Sequence, residues 1–220
     1  MHTHIYTAFA EGAYHPAQAA QIASIEASIY DEMLERIAAH VASVRLGDPL
    51  DDQTTMGPIA FDAQYDKVKS YIELGQEEGA EIVFGGRFGA ENFEAGSPLG
   101  AGYFVAPTLF RNATNDMRIC REEIFGPVTC AIPFSSEAEA LALANDTHYG
   151  LASGVWTNDL KRAHRFVRDL QSGAVWVNAY RRIHWAVPFG GFKDSGYGRD
   201  SGLESLRGYQ QTKSAWIDLA

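Results

Sequence analysis

Two adjacent carboxylates, Glu122 and Glu123, are the residues with the plainest chemical capacity in this 220-residue sequence. They precede the turn-like stretch Ile124-Phe125-Gly126-Pro127 and follow Cys120 and Arg121. A carboxylate accepts hydrogen bonds from hydroxyl groups, and a thiolate is a nucleophile. On its own, however, a Glu-Glu pair at this place fits equally well the solvated end of a helix before a strand.

The two cysteines, Cys120 and Cys130, do not form a Cys-x-x-Cys motif, so zinc sites and redox motifs find no support in the sequence. Cys130 falls in an apolar stretch that is predicted to be a buried strand, where cysteine usually acts as a small hydrophobic residue. Cys120 is the better candidate for a reactive thiol, because Arg121 lies beside it.

The overall composition restricts the class of protein. A net charge of −10 argues against a broad surface for nucleic acids or anionic membranes, which would need clustered Lys and Arg. The hydrophobic content of 46% is enough for an ordinary folded core. No apolar run reaches the length of a membrane span and no secretory signal is visible, so we predict a cytoplasmic protein. His2, His4 and His15 lack carboxylate or thiol partners, so we predict no metal site.

Apolar residues recur at helical spacing in two segments of the first half. The first predicted helix begins at a capping box of Ser28 and Asp31 and ends before Gly47. The second runs from Asp62 to about Glu78. The strands predicted in this half are Ile82–Phe84 and Tyr103–Phe110, separated by a glycine-rich loop at 87–101.

The second half alternates strands with amphipathic helices. The predicted order is a strand at 128–134, a helix capped by Ser136, a strand at 153–157, a helix at 163–170 and a strand at 174–178. Strands and helices at this spacing favour right-handed crossovers and a parallel sheet. Ligands bind beyond the carboxyl ends of such strands, so Asn178 and the loop after it are expected near an active site.

Five further segments, in the same order, match the family that the Glu122–Val128 stretch suggests. They are Gly47-Asp48-Pro49-Leu50 with Met56-Gly57-Pro58, Gly102-Tyr103-Phe104-Val105 with Pro107-Thr108, Ala144-Asn145-Asp146-Thr147 with Tyr149-Gly150-Leu151, Gly173-Ala174-Val175-Trp176-Val177-Asn178, and Pro188-Phe189-Gly190-Gly191-Phe192-Lys193 with Ser195-Gly196-Tyr197-Gly198-Arg199. Together they cover residues 28 to 219. The chain resembles the C-terminal part of NAD(P)-dependent aldehyde dehydrogenases.

The resemblance implies an α/β fold, in which a parallel twisted sheet with flanking helices forms part of the aldehyde dehydrogenase catalytic domain. It also implies a C-terminal strand that takes part in oligomerisation. The expected division is an irregular N-terminal tail at 1–24, the partial catalytic domain at 25–206, and the oligomerisation strand or tail at 207–220.

The resemblance also assigns roles near a cofactor, which is NAD or NADP. Glu123 matches the carboxylate that holds the nicotinamide-ribose hydroxyls, a task that suits a group able to accept two hydrogen bonds. Phe125 matches a residue that packs near the nicotinamide end. Gln64 and Lys67 match positions that contact the cofactor ribose, although an ordinary solvated helix face explains them equally well.

The loop after the predicted strand 174–178 lines the aldehyde tunnel in the family. Ile183 and Phe189 match positions in the tunnel wall, and such apolar walls favour a hydrophobic or aromatic aldehyde. Arg181, Arg182 and His184 are equally suited to an acidic group, or are plain surface charge. The glycines from Gly190 onward do not make a Gly-x-Gly-x-x-Gly motif and are expected to permit tight turns.

No catalytic residue of the family is found in this sequence. The family uses a cysteine nucleophile in a Gly-Gln-x-Cys context, a glutamate base and an oxyanion hole, followed by hydride transfer to NAD(P)⁺. The corresponding place reads His15-Pro16-Ala17-Gln18. We therefore expect a truncated product or fragment, without its dinucleotide-binding domain, that is inactive alone and would take an aldehyde only as part of a full enzyme.

Two alternatives stay open. In the first, the chain is a non-catalytic assembly or regulatory module that pairs with a full-length aldehyde dehydrogenase through its C-terminal strand. In the second, it is an enzyme that uses Cys120. The expected partners are an aldehyde and further copies of the chain or a full-length relative, with neither nucleic acid nor membrane.

Overall fold

The computed structural model describes residues 21–220, and the strands and helices below are those of this range. The strands are β1 (Ile22–Glu26), β2 (Glu81–Phe84), β3 (Thr108–Arg111), β4 (Val128–Phe134), β5 (Tyr149–Gly150), β6 (Ala152–Val155), β7 (Ala174–Val177) and β8 (Phe192–Lys193). The helices are α1 (Tyr30–Val41), α2 (Asp62–Glu77), α3 (Arg118–Arg121), α4 (Glu137–Asn145), α5 (Leu160–Asp169) and α6 (Glu204–Gly208). The fold is α/β, as the sequence predicts.

The largest sheet has the order β1-β4-β3-β2, with β4 parallel to both β1 and β3 and with β2 antiparallel at the edge. Side chains of β4 alternate between two covered faces. Val128, Cys130 and Ile132 belong to one apolar cluster and Ala131 belongs to another. A strand covered on both faces needs a continuous apolar sequence, which β4 has.

Helices cover both faces of this sheet. On one face, α1 packs Leu34 and Ile37 against Ile25 of β1. On the other face, α2 and α3 pack Val68 and Ile119 into the cluster that contains Cys130. A third cluster joins α4 and α5 to β4, β6 and β7. These layers fix the position of α3, from which the Glu122–Glu123 pair emerges.

The predicted helix starts were partly right. Ser136 caps α4 by accepting a hydrogen bond from the Glu139 N–H at 3.2 Å. The capping box at Ser28 was wrong, because the Ser28 hydroxyl instead donates to the Glu26 carboxylate at 3.3 Å and a 3₁₀ turn precedes α1. The strand predicted at 103–110 is shorter, Thr108–Arg111, since Pro107 has no N–H to continue a ladder.

The five predicted elements of the second half are present, but they do not form one sheet. β6 and β7 are parallel, as predicted, whereas β4 and β6 lie in different sheets. The neighbours of β4 are β3 and β1, and residues 22–24 of β1 were predicted to belong to the irregular tail. The tail prediction was therefore wrong at those residues. Residues 1–20 lie outside the described range, and the rest of the predicted domain division stays a prediction.

The C-terminal segment after α6 contains no helix or strand. Trp216, Ile217 and Leu219 are 96%, 81% and 92% exposed. A β-strand is defined by pairing with a neighbour, and the single chain offers none here. The oligomerisation strand therefore stays a prediction. None of the helices in residues 21–220 has the length and apolar character that crossing a bilayer requires.

Candidate functional site

The turn at residues 122–126 connects α3 to β4 and presents the predicted cofactor residues. Glu123 and Phe125 are exposed, and Phe125 has a φ of 56°, an uncommon backbone state for a bulky residue. A Cβ on Gly126 would lie 2.5 Å from Val68 Cγ2, so only glycine lets the turn pack this closely against α2. The turn is therefore a specific, locally strained shape.

Helix α2 holds this turn from one side. The Gln64 side-chain N–H groups donate to the carbonyls of Ile124 at 2.9 Å and Phe125 at 3.0 Å. The Lys67 ammonium donates to the Glu123 carbonyl at 2.7 Å. The structure thus brings together all four predicted cofactor residues, with the α2 pair bonded to backbone carbonyls of the turn.

Gln21 holds the same turn from the opposite side. Its amide nitrogen donates to the carbonyls of Ile119 at 2.8 Å and Glu122 at 2.6 Å, and its amide oxygen accepts from the Ile124 N–H at 3.0 Å. Its own carbonyl accepts from the Cys130 N–H at 2.7 Å. The sequence argument missed Gln21 because it assigned this region to a tail. The only local sign of a strand there was the pair Ile22 and Ile25 with Ala23 between them, which is too short a pattern to identify a strand.

The two neighbouring carboxylates have different environments. Glu122 accepts from Arg118 at 2.7 Å and 3.1 Å and from the Tyr71 hydroxyl. These bonds, first those from Arg118 and then that from Tyr71, lower the pKa of Glu122 to about 2. Within residues 21–220, the Glu123 carboxylate has no hydrogen-bond partner. The Glu122 carboxylate is thus hydrogen-bonded within the chain, whereas the Glu123 carboxylate is available to a ligand.

A cavity of about 710 Å³ lies beside this turn. Its lining includes Glu123 and Phe125 from the turn and Ile183 and Phe189 from the loops after β7. It also runs between β1 and β6, each of which pairs with a single strand among residues 21–220. The cavity therefore joins the predicted cofactor wall to the predicted substrate wall.

The end of β7 is fixed by Asn178. Its side chain accepts from the Thr157 N–H and donates to the Thr157 carbonyl, both at 2.9 Å, which ties β7 to the end of β6. Beyond it, Tyr180 packs edge-on against Trp176 with ring centroids 5.4 Å apart, and burial raises the pKa of Tyr180. Arg181 also lines the cavity. Asn178 itself does not line the cavity, although its neighbours Trp176 and Tyr180 do, and its side chain anchors the loop.

The glycine-rich loops pack by close backbone approach. A Cβ on Gly173 would lie 1.6 Å from the Gly190 carbonyl oxygen, so no larger residue fits there without movement. Gly196 and Gly202 have φ values of 108° and 61°, in the region that favours glycine. The expectation that these glycines serve tight turns is confirmed.

Both cysteines are buried, at 5% exposure for Cys120 and 0% for Cys130. Cys120 nevertheless contributes to the cavity wall. Arg121, expected to activate it, donates instead to both carboxylate oxygens of Asp146 at 3.0 Å and 2.9 Å. Among residues 21–220, no group of three or more potential metal ligands occurs, and the three N-terminal histidines lie outside this range.

Comparison with known proteins identifies the family of this chain. A family model described as "Aldehyde dehydrogenase family" matches residues 17–215. The chain belongs to the aldehyde dehydrogenase family. It is 44% identical over 194 residues to a betaine aldehyde dehydrogenase of Mesorhizobium japonicum, covering 88% of this chain and 39% of that protein. It is 48% identical over 195 residues to an aldehyde dehydrogenase of Rhodospirillum rubrum, covering 89% and 38%.

Solved aldehyde dehydrogenases have the same fold. The betaine aldehyde dehydrogenase of Staphylococcus aureus in complex with NAD⁺ superposes with a TM-score of 0.83 at 35% identity, covering 90% of this chain and 39% of that one. An NAD⁺ complex of a Bacillus cereus aldehyde dehydrogenase gives 0.82 at 38% identity, covering 91% and 39%. The chain thus spans about two fifths of the length of the relatives it matches, and the expected partial catalytic domain is confirmed.

Proposed function

We propose that this chain forms the C-terminal part of the catalytic domain of an NAD(P)-dependent aldehyde dehydrogenase. There it supplies one wall of the cofactor site and one wall of the aldehyde passage. The observation that carries the proposal is the convergence of Glu123, Phe125, Ile183 and Phe189 on one cavity.

The residues of the turn suit the nicotinamide half of NAD(P)⁺. Glu123 offers an exposed carboxylate without a protein partner among the described residues, and two adjacent ribose hydroxyls can both donate to it. Phe125 is 53% exposed beside it and offers an apolar ring face to a flat heterocycle. When bound, the cofactor supplies the acceptor for a hydride from the substrate, a capacity that no side chain has.

Gln64 and Lys67 act through the turn in this proposal. Their contacts to carbonyl oxygens of residues 123–125 fix the backbone that carries Glu123 and Phe125. Preorganisation of this kind matters because a wall displaced by about 1 Å costs a bound cofactor its reactive geometry. A direct contact of Gln64 or Lys67 with the ribose is not needed for this role.

The substrate wall favours a neutral or an acidic aldehyde. Ile183 and Phe189 provide apolar surface, and the Arg181 guanidinium in the same loop would repel a positively charged substrate at this wall. The two carboxylates of the described chain that line the cavity, Glu123 and Asp194, lie on other segments. A hydrophobic or aromatic aldehyde and an aldehyde that carries a carboxylate both fit. Relatives carry the name betaine aldehyde dehydrogenase, after a cationic aldehyde, and this chain is proposed to differ from them in that respect.

The experiment combines the chain with a protein that supplies the nucleophile. The upstream part of the Rhodospirillum rubrum relative would be co-purified with this chain and assayed with NAD⁺ and NADP⁺. The substrates would be benzaldehyde, a carboxylate-bearing semialdehyde and betaine aldehyde. We expect turnover of the first or second aldehyde that requires both polypeptides. The proposal is contradicted if the paired polypeptides oxidise none of the three aldehydes with either cofactor. It is also contradicted if betaine aldehyde is the only one that they oxidise.

The adjacent carboxylates give a matched pair of variants for this assay. Glu123→Gln should raise the KM for the cofactor by at least about tenfold, because charge-assisted hydrogen bonds to the ribose are lost. Glu122→Gln should leave that KM within about twofold, since Glu122 is bonded to Arg118 and Tyr71. Equal effects of the two variants would count against Glu123 as a ribose ligand.

A second function, an assembly module, is favoured by the exposed C-terminal segment. Trp216, Ile217 and Leu219 together present apolar side chains that nothing in the described chain covers. We propose that they pair with a second copy or with a full-length relative, in the cytoplasm. Light scattering should show self-association that Trp216→Ser with Leu219→Ser reduces. A clean monomer that also fails to bind a relative would exclude this function.

A further inference from the structure

Cys120 and Cys130 lie together beneath the cavity, although they come from different elements. Cys120 is in the last turn of α3 and Cys130 is at the centre of β4. The Cys130 thiol donates to the carbonyl of Ile119, the residue before Cys120, with a sulfur–oxygen distance of 3.7 Å. Both cysteines belong to the same buried apolar cluster. The last turn of α3 therefore rests directly on Cys130.

Gln21 confirms how close these two elements are. Its carbonyl binds the Cys130 N–H, and its side chain binds the Ile119 carbonyl that also accepts the Cys130 thiol. One residue thus bridges the backbone of β4 and the end of α3. The neighbouring Cys120 thiol, together with burial, raises the pKa of Cys130. The Ile119 carbonyl that accepts from the Cys130 thiol is bonded directly to the backbone nitrogen of Cys120, so the two side chains start close together and rotation about their Cα–Cβ bonds can bring the sulfurs into contact.

The two thiols differ in access. Cys120 forms part of the cavity wall, whereas Cys130 does not line the cavity and is fully buried. A small oxidant that enters the cavity therefore meets Cys120 first. A thiol at a cavity wall with a second, fully buried thiol behind it is the arrangement of a reactive and a resolving cysteine.

We propose that Cys120 and Cys130 are a modification site, at which a small peroxide converts the two thiols to an intramolecular disulfide. The Cys120 thiolate attacks one peroxide oxygen, the O–O bond breaks, and water leaves with the thiol proton, giving a sulfenic acid. The Cys130 sulfur attacks the sulfenic sulfur, the S–S bond forms, the S–O bond breaks, and a second water leaves with the Cys130 proton. The thiols lose two electrons, and hydrogen peroxide is reduced to two waters.

The disulfide would join α3 to β4 just before the cofactor turn. Cys120 is followed by Arg121 and then by the Glu122–Gly126 turn, whose shape depends on how α3 meets β4. Oxidation therefore constrains the chain segment that leads directly into the turn. A thiol reductant breaks the bond and returns both thiols.

The test is peroxide treatment of the full chain in its folded state, followed by denaturation, alkylation of free thiols and mass spectrometry. We expect a mass loss of about 2 Da, the two hydrogens of the thiols, and no alkylated cysteine. Dithiothreitol should restore two alkylatable thiols. Trypsin cleaves after Arg118 and Arg121, so the oxidised chain should give the tripeptide Ile119–Arg121 linked to the peptide that contains Cys130.

Single-cysteine variants separate the two roles. Cys130→Ser should accumulate a sulfenic acid at Cys120 that dimedone traps. Cys120→Ser should leave Cys130 reduced under the same treatment, because its thiol is buried. Circular dichroism of each variant would show that it retains the fold of the parent.

Three results would overturn the proposal. The first is wild-type chain that retains both alkylatable thiols at a peroxide dose that fully oxidises added glutathione. The second is oxidation of Cys120 to the sulfinic acid with Cys130 left free. The third is a disulfide found only between chains.

Discussion

Two regions that border the same cavity are built in different ways. The turn at 122–126 is bonded by Gln21 on one side and by Gln64 and Lys67 on the other, over a core that includes Phe110. The loop at 181–188, on the opposite side, is exposed at every residue. The first wall is fixed by contacts within the described chain, and the second wall has few such contacts. The comparison predicts that stability and site geometry respond strongly to changes near the turn and weakly to changes near the C-terminus.

The largest contrast is expected between two aromatic truncations. Phe110→Ala removes a ring with 0% exposure and should lower the free energy of unfolding by about 3–5 kcal/mol. Trp216→Ala removes a ring that is 96% exposed and should change it by no more than about 0.5 kcal/mol. Urea unfolding measures both. Similar losses for the two variants would mean that the C-terminal segment is packed after all.

A glutamine pair tests the hydrogen bonds themselves. Gln21→Ala leaves the Ile124 N–H and the carbonyls of Ile119 and Glu122 without their partner, so the unfolding free energy should fall by about 2–3 kcal/mol. Gln210→Ala serves as the control. Gln210 is exposed, so its substitution should lower the free energy of unfolding by less than about 0.5 kcal/mol. If Gln21→Ala is as mild as the control, Gln21 does not hold the turn.

The backbone of the turn provides a smaller test. Phe125 has a φ of 56°, which glycine adopts without the steric cost that alanine meets. Phe125→Gly should therefore be more stable than Phe125→Ala by about 1 kcal/mol in chemical denaturation. Both variants lose the same partly exposed ring, so packing cancels in the difference. An alanine variant equal to or more stable than the glycine variant would show that the turn relaxes to another shape.

The smallest effect is expected from acid. The bonds to Glu122 hold its pKa at about 2, below its ordinary value of 4.5. The folded state therefore keeps Glu122 charged where the unfolded state binds a proton, so its contribution is full above pH ~4.5 and is lost as pH falls to about 2. Both partners are partly exposed, which keeps the effect modest.

The measurement is the unfolding free energy between pH 7 and pH 2 for Glu122→Gln and Glu123→Gln. Glu122→Gln should flatten the acid side of the profile, and Glu137, which is bonded to Arg165 and Arg162, should account for much of the remaining slope. Glu123→Gln is the control, since its carboxylate has no protein partner among the described residues. If the unfolding free energy of Glu122→Gln falls with pH as steeply as that of the parent, Glu122 does not contribute to the acid dependence.

The sequence predicted the elements with strong local signals. β4 has the predicted bounds because six of its seven residues are apolar and a turn precedes them, and α4 begins at the predicted Ser136 cap. The convergence of Glu123, Phe125, Ile183 and Phe189 followed from the family resemblance, since nothing local shows that residues 60 positions apart share a cavity.

What the sequence did not predict depends on contacts between distant residues. β1 was missed because five residues without a flanking turn signal look like loop until β4 is placed beside them. Gln21 was missed for the same reason, since an isolated glutamine has no local pattern. The thiol pair was missed because a spacing of nine residues between Cys120 and Cys130 matches no motif, and only the packing of α3 on β4 brings them together.

The hydrogen bonds of Gln21 also set an order of events during synthesis and folding. Gln21 and its partner Glu122 are 101 residues apart, and β1 needs β4 before it has a neighbour. Closing so long a loop is costly in chain entropy and slows folding. On the ribosome, β1 is made more than 100 residues before β4, so its apolar residues remain without their sheet for that interval. The turn that Gln21 holds is therefore one of the last regions to form.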